Sequence, residues 1–83
     1  MARFLYFAWV REKIGVGEER VILPGQVRTV AQCLQFLRGL DASHDEALAD
    51  PSLRVAVNQV YAQLETLISD HDEIAFFPPV SGG

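Results

Sequence analysis

Eighty-three residues, 49% hydrophobic and 22% charged, suffice for one small globular domain and leave no room for a second. At roughly 0.05–0.15 kcal/mol per residue such a chain has little stability to hold open a deep catalytic cleft, which disfavours a self-contained enzyme. Eleven acidic against seven basic residues give a net charge of −4 with no Lys/Arg cluster, which argues against a nucleic-acid partner and for a basic protein surface.

Residues 2–9, "ARFLYFAW", are aromatic and apolar and read as a strand buried deep in a sheet. Its alternation places Arg3, Leu5, Phe7 and Trp9 on one face and Phe4, Tyr6 and Ala8 on the other. "REKIGVGEE", with Gly15 and Gly17, reads as the connection into a second strand, "RVILP", closed by Pro24, so that a first hairpin results. Thr29 and Gln32 have the spacing of a capping box, and Gly39 suits a helix stop. Between them Val30, Leu34 and Leu37 form an apolar stripe flanked by Val27, Cys33 and Leu40, with Arg38 near the negative end of the dipole. Ser43 and Glu46 repeat the capping-box spacing and open a short helix ended by Asp50-Pro51. "LRVAVN" at 53–58 alternates again, and Asn58-Gln59 bends the chain into a short fourth strand near residues 60–62. "SDHD" at 69–72 is a turn, and "EIAFF" is the last strand, running into Pro78-Pro79.

Strands, one main helix, then strands again predict an α+β fold, with the helix packed on one face of a mixed sheet. This is the order of the β-grasp, or ubiquitin-like, fold, in which the first and last strands are parallel neighbours. The domain is expected over residues 1–77, with 78–83 as an extended tail.

Most candidate reactive residues have ordinary structural readings. The lone Cys33 cannot form an internal disulfide and sits in the apolar stripe as a core residue; its solitude and the lack of a leader or long apolar span suggest a cytoplasmic protein with no membrane partner. His44 and His71 lie in expected loops without metal-ligand spacing, as solvated or turn residues. The acidic stretch from Asp41 to Asp50 lacks the ligand pattern of a calcium loop and reads as a solvated helix face. Gly15 and Gly17 lack the third glycine and following helix of a phosphate cradle. More informative is the Arg3 and Glu73 face, because Leu5, Phe7, Trp9, Ala75 and Phe77 then share an uncovered side of the sheet, and a contiguous aromatic patch there marks an interface.

The sequence ends "FFPPVSGG". Pro78-Pro79 favours stiff, extended geometry, and the six residues from Pro78 reach at most about 20 Å at about 3.3 Å each. Val80 and Ser81 lead to Gly82 and Gly83, where the absence of a Cβ lets the backbone enter a narrow channel and leaves the terminal carbonyl open to attack. The tail reads as an arm built for insertion into a partner.

"LYFAWVREKIG" near the start, "AVNQ" at 56–59 and "SDHDEIAFFPPVSGG" at the end resemble the small, sulfur-carrying subunits of molybdopterin synthases over nearly the whole chain. The resemblance implies a ubiquitin-like fold with no bound cofactor. It also implies that Gly83 is activated as an acyl-adenylate by an ATP-dependent, ubiquitin-activating-like enzyme and converted to a thiocarboxylate. The arm, through Pro78, Pro79, Val80, Ser81 and Gly82, would then enter a large catalytic subunit and donate sulfur to the pterin precursor, cyclic pyranopterin monophosphate, so that this chain acts as the sulfur-donating half of a sulfurtransferase. His71 departs from the pattern, since these proteins usually carry glycine there; histidine tolerates left-handed geometry better than most residues. Sulfur carriers for thiamin or tRNA thiolation also end in diglycine. A ubiquitin-like modifier would instead link Gly83 to a lysine, and a plain interaction domain would use the sheet face alone.

Overall fold

The computed structural model describes residues 1–79. The chain runs β1 (Ala2–Tyr6), α1 (Ala8–Ile14), β2 (Glu18–Val21), α2 (Val30–Arg38), α3 (Ala42–Leu48), β3 (Arg54–Val57), β4 (Val60–Tyr61) and β5 (Glu73–Phe77). The strands form one sheet in the order β2-β1-β5-β3-β4. As the sequence predicts, β1 and β5 are parallel neighbours, while β1/β2, β3/β5 and β3/β4 pair antiparallel. The result is the expected α+β, mixed-sheet β-grasp, with two short helices beside the main one.

Alternation along the two central strands decides which side the helices cover. Phe4 and Tyr6 of β1 and Ile74 and Phe76 of β5 are buried, joined by Val10 of α1, Val30, Cys33 and Leu37 of α2, and Ala47 and Leu48 of α3. Phe76 stacks between Phe4 and Tyr6, with ring centroids 6.4 and 6.2 Å away, so the core is centred on the parallel pair.

The main helix begins as its sequence specifies. The Thr29 hydroxyl accepts from the Gln32 N–H at 3.2 Å, and the Gln32 side chain accepts from the backbone N–H of Thr29 and Arg28. The remaining first-turn donors are met from a distance: Val30 N–H donates to Thr66 O and Ala31 N–H to Leu64 O, at 3.0 and 2.9 Å. The loop before β5 is thereby tied to the start of α2.

Four expectations need correction. The first strand stops at Tyr6, and residues 8–14 form α1 rather than the end of a strand and a loop, so β1 and β2 are joined through a helix and not by a hairpin turn. Gly15, at φ 98°, closes that helix in the left-handed conformation that glycine adopts without a Cβ penalty. The second strand lies earlier than "RVILP", leaving Ile22 exposed beyond it. Asp41, not Ser43, caps α3, its carboxylate accepting from His44 N–H at 2.8 Å. Leu40 lies past the end of α2 and is exposed, off the apolar stripe.

Asn58 and Gln59, at φ 51° and 69°, make the bend expected between the third and fourth strands. Asn58 fastens this bend to β5: its side chain accepts from Glu73 N–H and donates to Asp72, each at 3.0 Å. His71 lies in the turn before β5 without a left-handed backbone.

Candidate functional site

The sheet side opposite the helices carries the residues of the other parity. In one row Leu5 of β1, Ala75 of β5, Ala56 of β3 and Tyr61 of β4 are successive cross-strand neighbours, and in the next Phe77 lies beside Arg54. Tyr61 and Phe77 are in aromatic contact, with centroids 5.8 Å apart. Phe7 has an extended backbone, φ −122° and ψ 155°, that continues the alternation of β1 and keeps it on the Leu5 side. Its side chain is half exposed, and its N–H donates to Phe76 O.

The opposite end of this face is ionic. Arg3 reaches Glu18 through Nε at 3.1 Å and Glu73 through Nη1 at 3.0 Å, and Arg20 also approaches Glu18. Hydrogen bonding from Arg3 holds the Glu18 carboxyl below the usual carboxylate range. The face is therefore polarised along the strands, with charge near the start of β1 and aromatic surface where β5 runs out.

At the aromatic end a shallow groove of about 430 Å³ is lined by Arg54, Val55, Tyr61, Ala62, Phe77 and Pro79. Pro78 and Pro79 leave the sheet here, so the tail begins on the wall of this groove. The expectations for Val80, Ser81, Gly82 and Gly83 lie outside the described residues.

Of the sequence-derived patch, Leu5, Phe7 and Phe77 share the open side, and Trp9 does not. Trp9 belongs to α1, packs against the core and lies under Lys13, whose Nζ is 5.7 Å from the ring centroid. Alternation fails for Trp9 because Ala8, at φ 52°, turns the chain out of the strand. Tyr61 is the member that sequence reasoning missed; its place beside Ala56 follows only from the β3–β4 register.

Two residues weighed as reactive groups are occupied. Cys33 is fully buried, and burial pushes its thiol up to about 12, which removes it as a nucleophile. His44 is not a solvated loop residue: it is 6% exposed in α3, with Nδ1 2.8 Å from Asp41 and Nε2 2.7 Å from Glu19 of β2. Burial pulls its pKa down, but hydrogen bonds and charge from Asp41 and Glu19 outweigh this and leave it above the ordinary histidine value. With both ring nitrogens engaged, His44 is a clamp between α3 and the sheet. The expected solvated character of the acidic stretch holds for Asp45 and Glu46, while Asp41 and Asp50 bind local backbone N–H groups.

Among the described residues no helix is long and apolar enough to cross a membrane, and no three His, Cys, Asp or Glu side chains converge as a metal site.

Comparison with known proteins gives a consistent result. The model of the ThiS family matches residues 4–83. The chain is 37% identical to the molybdopterin synthase sulfur carrier subunit of Escherichia coli and 39% identical to that of Haemophilus influenzae, in each case over 100% of both chains. Among solved structures it is similar to the small archaeal modifier protein SAMP1 of Haloferax volcanii, with a TM-score of 0.77 and 31% identity over 99% of this chain and 98% of that one.

Proposed function

This chain belongs to the ThiS family, and we propose that it is the sulfur carrier subunit of a molybdopterin synthase, with Gly83 as the group that bears the sulfur. The observation that carries this reading is the end-to-end match to two proteins of that name, whose span takes in this chain's terminal diglycine.

The chemistry follows from the terminal group. A C-terminal carboxylate, with a pKa of roughly 3.3–3.7, is ionised at neutral pH and is a poor acyl donor. An ATP-dependent adenylating enzyme joins it to AMP with release of pyrophosphate. Sulfur then displaces AMP and leaves a thiocarboxylate. A large catalytic subunit holds the pterin precursor and the acid and base groups, and this chain supplies the sulfur. The described residues support that division of labour, because Cys33 is buried and His44 is held between two carboxylates.

The open side of the sheet fits the docking role. Leu5, Phe7, Phe77 and Tyr61 present aromatic and apolar surface beside the root of the tail, so binding there would aim Pro78 and Pro79 into the partner. Incubation with the adenylating enzyme, ATP and a sulfur donor should raise the intact mass by one oxygen-to-sulfur exchange. An unchanged mass in the presence of demonstrably active enzyme would refute the assignment of Gly83.

The likeness to a small archaeal modifier favours a second reading, in which Gly83 is linked to lysines of other proteins. Peptides branched at such lysines, recovered from cells, would support it.

A further inference from the structure

An activated C-terminus is a hazard to its own surface, since any amine that reaches the acyl carbon forms an amide instead of a thiocarboxylate. The positive charge of this chain is distributed accordingly. Six of its seven basic residues are arginines, whose guanidinium stays protonated and is not an acyl acceptor, and Lys13 is the only lysine. The other amine, that of Met1, is held by Asp70 at 3.0 Å. The Cys33 thiol is buried.

Lys13 sits in a defined setting. Its Nζ lies over Trp9 and 3.6 Å from Glu46 Oε1, and both Lys13 and Glu46 are exposed. Trp9 offers a flat apolar surface beside the amine, and Glu46 offers a carboxylate to receive a proton. The site lies on the helix that starts beside the end of β5. The hydrogen bond from Phe7 N–H to Phe76 O joins the entrance of α1 to the end of β5. Lys13 is six residues further along the chain, about 9 Å at 1.5 Å per residue. The six residues from Pro78 span up to about 20 Å when extended.

Resting on the carrier reading above, we propose that Lys13 is the self-modification site of this protein, the amine to which an activated Gly83, of the same chain or of a second copy, is joined when sulfur is not supplied. The neutral amine attacks the Gly83 carbonyl carbon and forms the C–N bond. The C–O bond to AMP breaks, AMP departs with the electron pair, and the proton leaves the nitrogen through Glu46 to water. The product is an isopeptide, one water lighter than the free chain or chains. Glu46 is the general base of this step, and Trp9 is a positioning residue.

The test needs no adenylating enzyme. The full chain is prepared as a C-terminal thioester at Gly83, by intein cleavage, and incubated at mildly alkaline pH with intact-mass and peptide mapping. A branched peptide joining Gly83 to Lys13 is expected, absent in Lys13→Arg and formed about tenfold more slowly in Glu46→Gln. A double variant with the lysine moved, Lys13→Arg/Arg28→Lys, should form its branch about tenfold more slowly than the wild type forms its own. Equal capture by the moved lysine, linkage chiefly to Met1, or hydrolysis of the thioester with no branch would each overturn the proposal. Incubation with the adenylating enzyme, ATP and a sulfur donor is run in parallel. A Lys13 branch from the thioester without any thiocarboxylate there would keep the site and refute the carrier reading.

Discussion

His44 shows how one side chain joins distant parts of a small core. It bridges Asp41, three residues back, to Glu19 of β2, and its ring packs edge-on to Tyr6. Because its folded pKa lies above the ordinary 6.5, its contribution to stability is complete below that value and is lost as pH rises through the folded pKa. Asp41, held below 3.8 by hydrogen bonds from His44, contributes above that value and loses its contribution as pH falls through its folded pKa. Urea unfolding of His44→Ala should therefore show a loss of about 1–3 kcal/mol near pH 6, where Glu19 is left without its partner, and a smaller gap at pH 9. An equal gap at both would contradict a charged clamp. None of this was legible beforehand, since Glu19 is 25 positions away and an isolated histidine beside acidic residues reads as solvated. Phe77 was legible, because strand parity alone separates it from Phe76. Phe77→Ala should weaken binding to a large catalytic subunit by about 2 kcal/mol or more if it is a hot spot, with the domain still folded. Calorimetric titration checks the first and thermal unfolding the second.

At the level of elements, signals within a few residues were readable and those set by tertiary contact were not. The capping box of α2 is a local code, so its start could be placed from Thr29 and Gln32 alone. Thr29→Ala should cost about 1 kcal/mol, measured by chemical denaturation, and Thr29→Ser much less. α1 escaped because it is seven residues long, has no side-chain cap at Phe7 and follows directly from an aromatic strand. Two signals were present: Val10 and Ile14, four apart, both pack on the core, and Gly15 closes the helix. Ala8 sets the entry to this helix at a positive φ that a β-branched residue tolerates poorly. Ala8→Val should lower stability by about 1–2 kcal/mol, while Ala8→Gly should leave it unchanged or higher. Equal unfolding midpoints for the two variants would argue against a left-handed entrance.

For the whole molecule, a single small domain was visible from length and composition, since a chain of this size has no room for a second. The register of the sheet was not, and with it went the Tyr61–Phe77 contact and the polarity of the open face. Gly82→Val and an extension beyond Gly83 should both preserve the melting temperature, because neither alters a residue of the described core, and both should abolish sulfur transfer to the pterin precursor. Full activity from an extended chain shown by mass to be unprocessed would exclude the terminal carboxylate as the sulfur-bearing group. The parallel pairing of β1 with β5 has a mechanical consequence as well. Met1 precedes one strand and the arm follows the other, so a pull between the arm and Met1 drags the two neighbouring strands in opposite directions along their length. The bonds joining residues 3–6 to 73–76 then share the load together rather than opening one at a time, as they would in a hairpin pulled from its free ends. Stretching single molecules from Met1 and Gly83 should produce one abrupt rupture of the whole domain.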